Sequence, residues 1–359
     1  MTKSLSILIP TYNEHDNILP LLERIGKAVH GTDYEVVFID DSSQDGTAAL
    51  INSLAARYPA RVVVRQGKKG LASAVVDGFE LVSGNIVVVM DADLQHPPEV
   101  IPALVKAIQG RADIAVASRY IPGGGNAGWS KLRQITSSGA VFLAHLLLPP
   151  SRRVKDPMSG FFALRREVVS GVKLSPRGYK ILLEILVIGR FKRATEVPFM
   201  FQLREKGKSK LDVRQEMEYL RHLFSLLLRS GEITRFLKFC LVGGSGVLVN
   251  EGLLWLLTDK AGLYYMLSSA IAIETSIITN FVLNHWFTFA DRKGKGIKSY
   301  LTKLGQFNLV SLVAVGINLG LLWLFNTEFG VYYLVANLIG IAVSMIWNYG
   351  ANNLWTWKR

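Results

Sequence analysis

The chain has 359 residues, 50% of them hydrophobic and 19% charged, with a net charge of +13 at pH 7. This length and apolar content exclude a disordered tail or a small disulfide-stapled module, and at roughly 150 residues per domain they suggest two domains. The positive charge admits nucleic acid, anionic lipid or a phosphate-bearing substrate, but no DNA- or RNA-binding motif supports the first, and the lone Cys240 rules out an intrachain disulfide.

In chain order, Ser4–Ile9, Tyr34–Ile39, Arg61–Val64, Ile86–Met90 and Asp113–Ala117 are short, rich in Ile and Val, and followed by polar turns. Apolar on both faces, they read as strands buried in a parallel sheet. Between them Asn17–Val29, Asp45–Arg57, Leu71–Val82 and Pro98–Gln109 fit helical spacing, the last with Pro in its first turn. The pattern predicts an α/β, mostly parallel, doubly wound sheet with its ligand at the carboxyl ends of the strands. Met1 to Pro10 leads straight into the first strand with no cleavable apolar core, so no signal peptide is expected.

Charge is sparse after Phe236, and Phe239–Leu257, Ala261–Ala290, Leu304–Thr327 and Phe329–Trp357 carry no more than one acid each. A helix needs about 20 residues to cross a ~30 Å hydrocarbon core, so four spans are expected. Arg221, Arg229, Arg235 and Lys238 precede the first, Arg292 to Lys303 lie between the second and third, and Lys358-Arg359 closes the chain. The charge bias places both termini and the soluble domain in the cytoplasm. Glu251, Glu274, Asn250 and Asn280 lie inside the spans and read as interhelical partners in an anchor or oligomer interface, with lipid translocation as the alternative. No internal repeat is apparent. The expected division is a soluble domain over 1–212, amphipathic juxtamembrane helices over 213–235 and a membrane domain over 236–359. In the middle segment Met217, Leu220, Leu223, Phe224, Leu227 and Leu228 share one face, suited either to packing on the soluble domain or to lying among headgroups.

Val87-Val88-Val89-Met90 runs into Asp91-Ala92-Asp93-Leu94-Gln95-His96-Pro97. Asp-x-Asp alone reads as a helix-capping turn, but at the end of a buried strand it places two carboxylates where Mg²⁺ or Mn²⁺ bridging a diphosphate would sit. Gln95 offers a neutral oxygen to that ion; His96 reads as a turn residue. Asp41, after the second strand, is a candidate acceptor for a base or ribose, with Asp45 as a cap. Tyr12 and Glu14, after the first, would face the same cleft. The absence of Gly-x-Gly-x-x-Gly after this strand and of a Gly-Lys-Ser loop weighs against dinucleotide oxidoreductases and P-loop phosphotransferases.

These three segments, Ile7–Glu14, Asp40–Thr47 and Asp91–Glu99, in this order, resemble inverting GT-A (Rossmann-like) glycosyltransferases, and among them the polyprenyl-phosphate (dolichol-phosphate) mannose synthases. The four spans resemble a GtrA-like module. The resemblance implies transfer of mannose from GDP-mannose to a polyprenyl or dolichyl phosphate at the membrane, with a UDP-sugar donor as the nearest rival. It implies nucleotide contacts from Pro10, Tyr12, Glu14, Ile39, Asp41, Asp91 and Ala92, a divalent cation (Mg or Mn) on Asp93 and Gln95, and a phosphate-facing Arg119. Arg204-Glu205-Lys206-Gly207-Lys208-Ser209-Lys210 resembles the family's Arg-x-x-Gly-x-Ser-Lys segment and brings in Arg204 and Lys210, with Lys180 as a weaker carry-over. A basic loop of this kind otherwise reads as solvated. Ile121–Trp129 is too Gly-rich for a strand and reads as a lid or a connector. Arg133 and Ser137 share a helical face on which an acceptor phosphate would fit, or they decorate a core helix. Asp156-Pro157-Met158-Ser159-Gly160-Phe161 resembles a further family element, where Asp156 positions an Arg or sugar hydroxyls, or makes a turn.

Overall fold

A computed structural model describes residues 3–67, 70–176, 178, 180–202 and 213–358, with backbone only at 132 and 213–216. It divides into two compact units, Met1–Ser230 and Gly231–Arg359.

The first unit opens with β1 (Leu5–Thr11), α1 (His15–Ala28), β2 (Tyr34–Asp40), α2 (Thr47–Leu54), β3 (Ala60–Val64), α3 (Leu71–Phe79), β4 (Ile86–Val89), α4 (Ile101–Gln109) and β5 (Ile114–Ser118). The predicted alternation is therefore present. All seven residues of β1 are buried, because the sheet is covered on both faces. Ile7 and Ile9 pack with Ile18, Leu21 and Leu22 of α1, while Leu8, pointing the other way, packs with Val75 and Phe79 of α3. The chain continues through β6 (Gly125–Asn126), α5 (Lys131–Leu147), β7 (Phe162–Arg165), α6 (Ile181–Ile188), β8 (Ala194–Pro198) and β9 (Met200–Phe201) to α7 (Val213–Arg229). Seven strands form one sheet in the order β3-β2-β1-β4-β7-β5-β8. β7 lies antiparallel between β4 and β5, and the remaining pairs are parallel. Strand order reverses where β1 meets β4, which opens a crevice at their carboxyl ends.

Two expectations are corrected here. The Gly-rich stretch after β5 is not wholly irregular: Gly125–Asn126 pairs in parallel with Met200–Phe201, a ribbon too short to show in a sequence pattern. The single apolar stripe expected on α7 is two faces. Tyr219, Leu223 and Leu226 are buried with Ala144 and Leu148 at the end of α5, whereas Met217, Leu220, Phe224 and Leu228 are exposed. α7 belongs to the first unit, and the division falls between Ser230 and Gly231.

The second unit is all helical: α8 (Glu232–Trp255), α9 (Tyr265–Leu283), α10 (Ile297–Trp323) and α11 (Tyr333–Ala351). Each runs on through a π-helical turn, at Leu256–Lys260, Asn284–Thr288, Leu324–Glu328 and Asn352–Thr356. With these turns four helices of 24 to 32 residues are long and apolar enough to cross a membrane; even the shortest spans about 36 Å.

Contrary to expectation, this unit is an internal repeat. Asn250, Trp255, Tyr264, Ser276, Asn280, Asn284 and Thr288 reappear, always 68 positions later, as Asn318, Trp323, Tyr332, Ser344, Asn348, Asn352 and Thr356. The geometry repeats too. Ser276 Oγ donates to the Gly246 carbonyl at 2.7 Å and Ser344 Oγ to the Ala314 carbonyl at 2.8 Å. The equivalent residues Phe289 and Trp357 stack on each other at 4.4 Å, with planes 7° apart. Apolar positions such as Leu253 and Leu321 or Ile271 and Ile339 are also shared, but interchange of Leu, Ile, Val and Met at many others hides the period. The two hairpins run in the same sense, as parallel repeats in membrane proteins do.

Candidate active site

The loops that follow β1 and β2 are stitched together by the polar residues of the two motifs. Asn13 N–H donates to Ser43 Oγ at 2.8 Å, and Gln44 N–H returns a bond to Asn13 Oδ1 at 3.0 Å. Asp45 accepts from the His15 and Thr47 amides, each at 3.0 Å, and so caps two helices at once. Burial opposes the charge of Asp45, yet these bonds with the Thr47 hydroxyl hold its carboxyl below its usual range. Asp40, fully buried, accepts from Thr11 Oγ1 at 3.1 Å and from Ser43 N–H at 2.8 Å. Its role is to brace the crevice from beneath.

A cavity of about 170 Å³ opens between these loops and the end of β4. Pro10, Tyr12, Glu14 and Asp41 line one side and Asp91, Ala92 and Asp93 the other. Seven of the expected residues are therefore brought to one place. Ile39 is not among them: its side chain is fully buried with Leu8 and Val37. A wider groove of about 640 Å³ lies at the amino ends of β5 and β8, lined by Arg111, Arg153, Lys192 and Arg193 among others. It contains none of the motif residues, so the smaller cavity is the one that matters for the motif chemistry.

Asp41 is held in place by a residue the sequence did not single out. Arg65, buried at the end of β3, donates Nε to Asp41 Oδ1 at 2.7 Å and Nη1 to Asp77 at 3.1 Å. Gly70 N–H meets the other Asp41 oxygen at 2.7 Å. An Arg closing a strand next to an acidic pair was the available signal.

The turn after β4 is shaped by its own side chains. Leu94 adopts φ 62°, a left-handed conformation that costs a leucine roughly 1–2 kcal/mol. Its side chain is buried in the core beneath, which returns about 1.5–3 kcal/mol. Asp93 Oδ1 accepts the Gln95 N–H at 3.2 Å. Gln95 Nε2 donates to the Gln202 carbonyl at 3.0 Å, so the donor half of the amide is anchored and the oxygen half is the half suited to a cation. His96, read from the sequence as a turn residue, is instead buried under the loop, where Asp91 N–H donates to its Nδ1 at 3.0 Å. Burial lowers its pKa to about 4, so the ring is neutral.

Beyond β5, Arg119 is 9% exposed and grips Asp156, itself fully buried. Nε and Nη2 form a bidentate pair with its two oxygens at 2.7 Å each, and the Arg119 amide adds a third bond at 3.1 Å. Burial opposes the guanidinium charge, but Asp156 outweighs it and raises the pKa. Of the readings open for Asp156, positioning an Arg is the one the structure supports. Trp129 lies between two guanidinium groups, Arg119 at 5.1 Å and Arg133 at 4.3 Å from its ring centre. Ser137 Oγ sits 2.8 Å from Tyr120 Oη. These residues form a second cluster, separate from the cavity lining. Lys180 donates to the Met158 carbonyl at 3.3 Å and does not line the cavity. Arg204 and Lys210 lie outside the described residues.

Two family models match the chain. Residues 6–172 match glycosyl transferase family 2, and residues 238–357 match the GtrA/DPMS transmembrane domain. Fold, site and matches define a family 2 glycosyl transferase domain joined to a membrane-spanning domain. The chain is 46% identical to the dolichol-phosphate mannosyltransferase of Pyrococcus furiosus, over 98% of this chain and 99% of that protein. It is 37% identical to the Saccharomyces cerevisiae protein of the same name, over 63% of this chain and 88% of that one. The chain belongs to the dolichol-phosphate mannosyltransferase family. Among solved structures, glucosyl-3-phosphoglycerate synthase from Mycobacterium tuberculosis, crystallised with Mn²⁺, uridine diphosphate and glucosyl-3-phosphoglycerate, superposes with a TM-score of 0.50 at 21% identity, over 64% of this chain and 80% of that one. That likeness concerns the fold of the first unit.

Proposed function

We propose that the chain transfers mannose from GDP-mannose to a polyprenyl or dolichyl phosphate, with inversion, at the cytoplasmic face of a membrane. The observation that carries this reading is the cavity in which Asp91 and Asp93 meet Tyr12, Glu14 and Asp41, in a chain of this family. Tyr12 offers a flat face for the base and Asp41 an acceptor for its donors. Asp93 and the Gln95 carboxamide oxygen suit a hard divalent ion. Among the described residues no three His, Cys, Asp or Glu side chains converge as a metal cage, which fits a site completed by the donor's own phosphates. When bound, the ion neutralises charge on the departing nucleoside diphosphate; Arg204 and Lys210 add to that stabilisation.

The acceptor phosphate needs no general base, because a phosphate monoester with a second pKa of ~6 is largely ionised at neutral pH. The chain's task is to hold it in line. Arg119 offers the edge of its guanidinium not engaged by Asp156, and Arg133 is oriented by Trp129. With Ser137 they form the acceptor side. Exposed Phe142 and Leu146 of α5, with Leu220 and Phe224 of α7, would dip into the headgroup layer and receive the lipid. The four spans anchor the enzyme, with termini and catalytic unit cytoplasmic on the charge bias.

The decisive assay uses detergent-solubilised full-length protein, short polyprenyl phosphates and GDP-mannose or UDP-glucose, with and without EDTA. Transfer from GDP-mannose that EDTA abolishes is expected. Transfer from UDP-glucose alone would overturn the donor, and transfer unaffected by EDTA would overturn the metal. The internal repeat removes one objection to lipid translocation by the membrane unit, and flux of labelled lipid in vesicles holding the full chain tests that second reading.

A further inference from the structure

The reversal that carries Asp91, Asp93 and Gln95 has its two ends joined by one bond, from the Asp91 N–H to His96 Nδ1 at 3.0 Å. Because Nδ1 accepts, the proton of the neutral ring resides on Nε2. The ring is packed on several sides. It stacks on Phe161 at 5.2 Å with planes 23° apart, and the edges of Phe199 and Phe201 meet it at 5.9 and 5.7 Å. Gly160 closes a further side: a Cβ there would stand 3.2 Å from His96 Cε1 and 3.4 Å from Asp91 Oδ2.

The neighbouring side chain holds the same strand by other means. Gln95 Nε2 donates to the Gln202 carbonyl at 3.0 Å, and Gln202 N–H donates to the Gln95 carbonyl at 3.1 Å. Gln202 directly follows Phe201. Two successive residues of the loop, His96 through its ring and Gln95 through hydrogen bonds, thus clamp it to one segment. A purely apolar residue at 96 would fill the aromatic box but put an apolar side chain where the Asp91 N–H now meets an acceptor, and the loop would have to move to recover one.

We infer that His96 is a positioning residue for the metal-binding loop: its Nδ1 fixes the Asp91 backbone and its ring locks the loop onto the Phe199–Gln202 segment, which sets where Asp93 and Gln95 present their oxygens. The inference rests on the proposed role of Asp93 and Gln95 as the protein's metal ligands. It predicts that the acceptor atom, rather than bulk at position 96, governs metal affinity.

Three variants of the full chain separate these contributions. In His96→Asn, Oδ1 takes the place of Nδ1; in His96→Gln, the oxygen is displaced toward the position of Nε2; His96→Leu supplies bulk only. Mn²⁺ binding in the presence of GDP is measured by the loss of the free-ion electron paramagnetic resonance signal, alongside thermal unfolding. We expect His96→Leu and His96→Gln to weaken Mn²⁺ about tenfold or more while His96→Asn stays within about threefold of the parent, the range found when a partner behind a metal ligand is removed or kept. The acceptor KM should be unchanged in all three. Equal Mn²⁺ affinity in all three, or equal losses in Asn and Gln that follow the unfolding temperature, would overturn the inference. If His96→Leu does not fold, the Asn–Gln pair still decides. Asp93→Asn is the control: unweakened Mn²⁺ binding there would reject the ligand assignment itself, leaving the loop bond in place but without that role.

Discussion

In the first unit several buried charges meet an opposite one. Arg119 faces Asp156, Arg65 faces Asp41 and Arg229 faces Glu184. In the second unit charge gathers where α8 begins, around Glu232, Arg235, Asp291 and Arg292. Its buried serines and its interior asparagines are neutral, and several recur in both hairpins. The contrast follows from the solvent around each unit. A domain in water can bury an ion pair if each partner is fully hydrogen-bonded, and one such pair, Arg65–Asp41, stands at the wall of the crevice. A helix surrounded by hydrocarbon gains little from apolar contact with its neighbours, so small residues and short polar bonds hold the bundle together. The first unit positions chemistry by charge; the second holds its helices by shape and modest hydrogen bonds.

That contrast breaks most visibly at Asp93. Asp93→Ala should lower transfer by about a hundredfold or more, the scale of losing a group that stabilises developing charge, with thermal unfolding unchanged; near-normal turnover would remove the metal assignment. Next is Asp156→Ala, which strands a buried guanidinium and should cost about 3–5 kcal/mol of first-unit stability. Chemical denaturation read by Trp129 fluorescence would check it, and adding Arg119→Met should return most of the loss. An unchanged midpoint in the single variant would show that the pair is not structural.

The two faces of α7 sharpen the comparison further. Leu223→Ala should destabilise the first unit by about 2–5 kcal/mol, whereas Phe224→Ser should leave stability in detergent alone and raise the apparent KM for the lipid acceptor in vesicles. Equal unfolding midpoints for the two variants would refute the division of the stripe. The smallest effect belongs to the second unit. Ser276→Ala and Ser344→Ala should each weaken it by only about 0.6 kcal/mol, and by similar amounts if the repeat is energetically as well as geometrically real. Steric-trap unfolding in bicelles can resolve values of that size.

Much of the first unit was legible from short-range pattern. Runs such as Ile7-Leu8-Ile9 and Val87-Val88-Val89 announce buried parallel strands, and the acids that follow them announce the ligand edge of the sheet. Less legible was whatever depends on distant partners. Arg65 reads as a surface cation until β3 is set beside β2 and the residue is seen to hold Asp41. His96 reads as part of a turn until Phe161, Phe199 and Phe201, far apart in the chain, close around it. Antiparallel β7 was missed because the four residues Phe162–Arg165 carry too little periodicity to stand out. The repeat escaped for another reason. In apolar helices one aliphatic residue readily replaces another, so the shared polar and aromatic residues stand out only once the two hairpins are set side by side.

By itself the sequence determined the alternation of strands and helices from β1 to β5, the four apolar spans and the identity of the motif residues, since each depends on local periodicity, length and the chemistry of adjacent side chains. Tertiary structure alone decided which carboxylates share a cavity, which cation each buried acid meets, which face of α7 is covered, and that Phe289 stacks on Trp357. Those outcomes depend on bringing together residues tens to hundreds of positions apart, and the free energy of such contacts is set by packing and desolvation that no local pattern encodes.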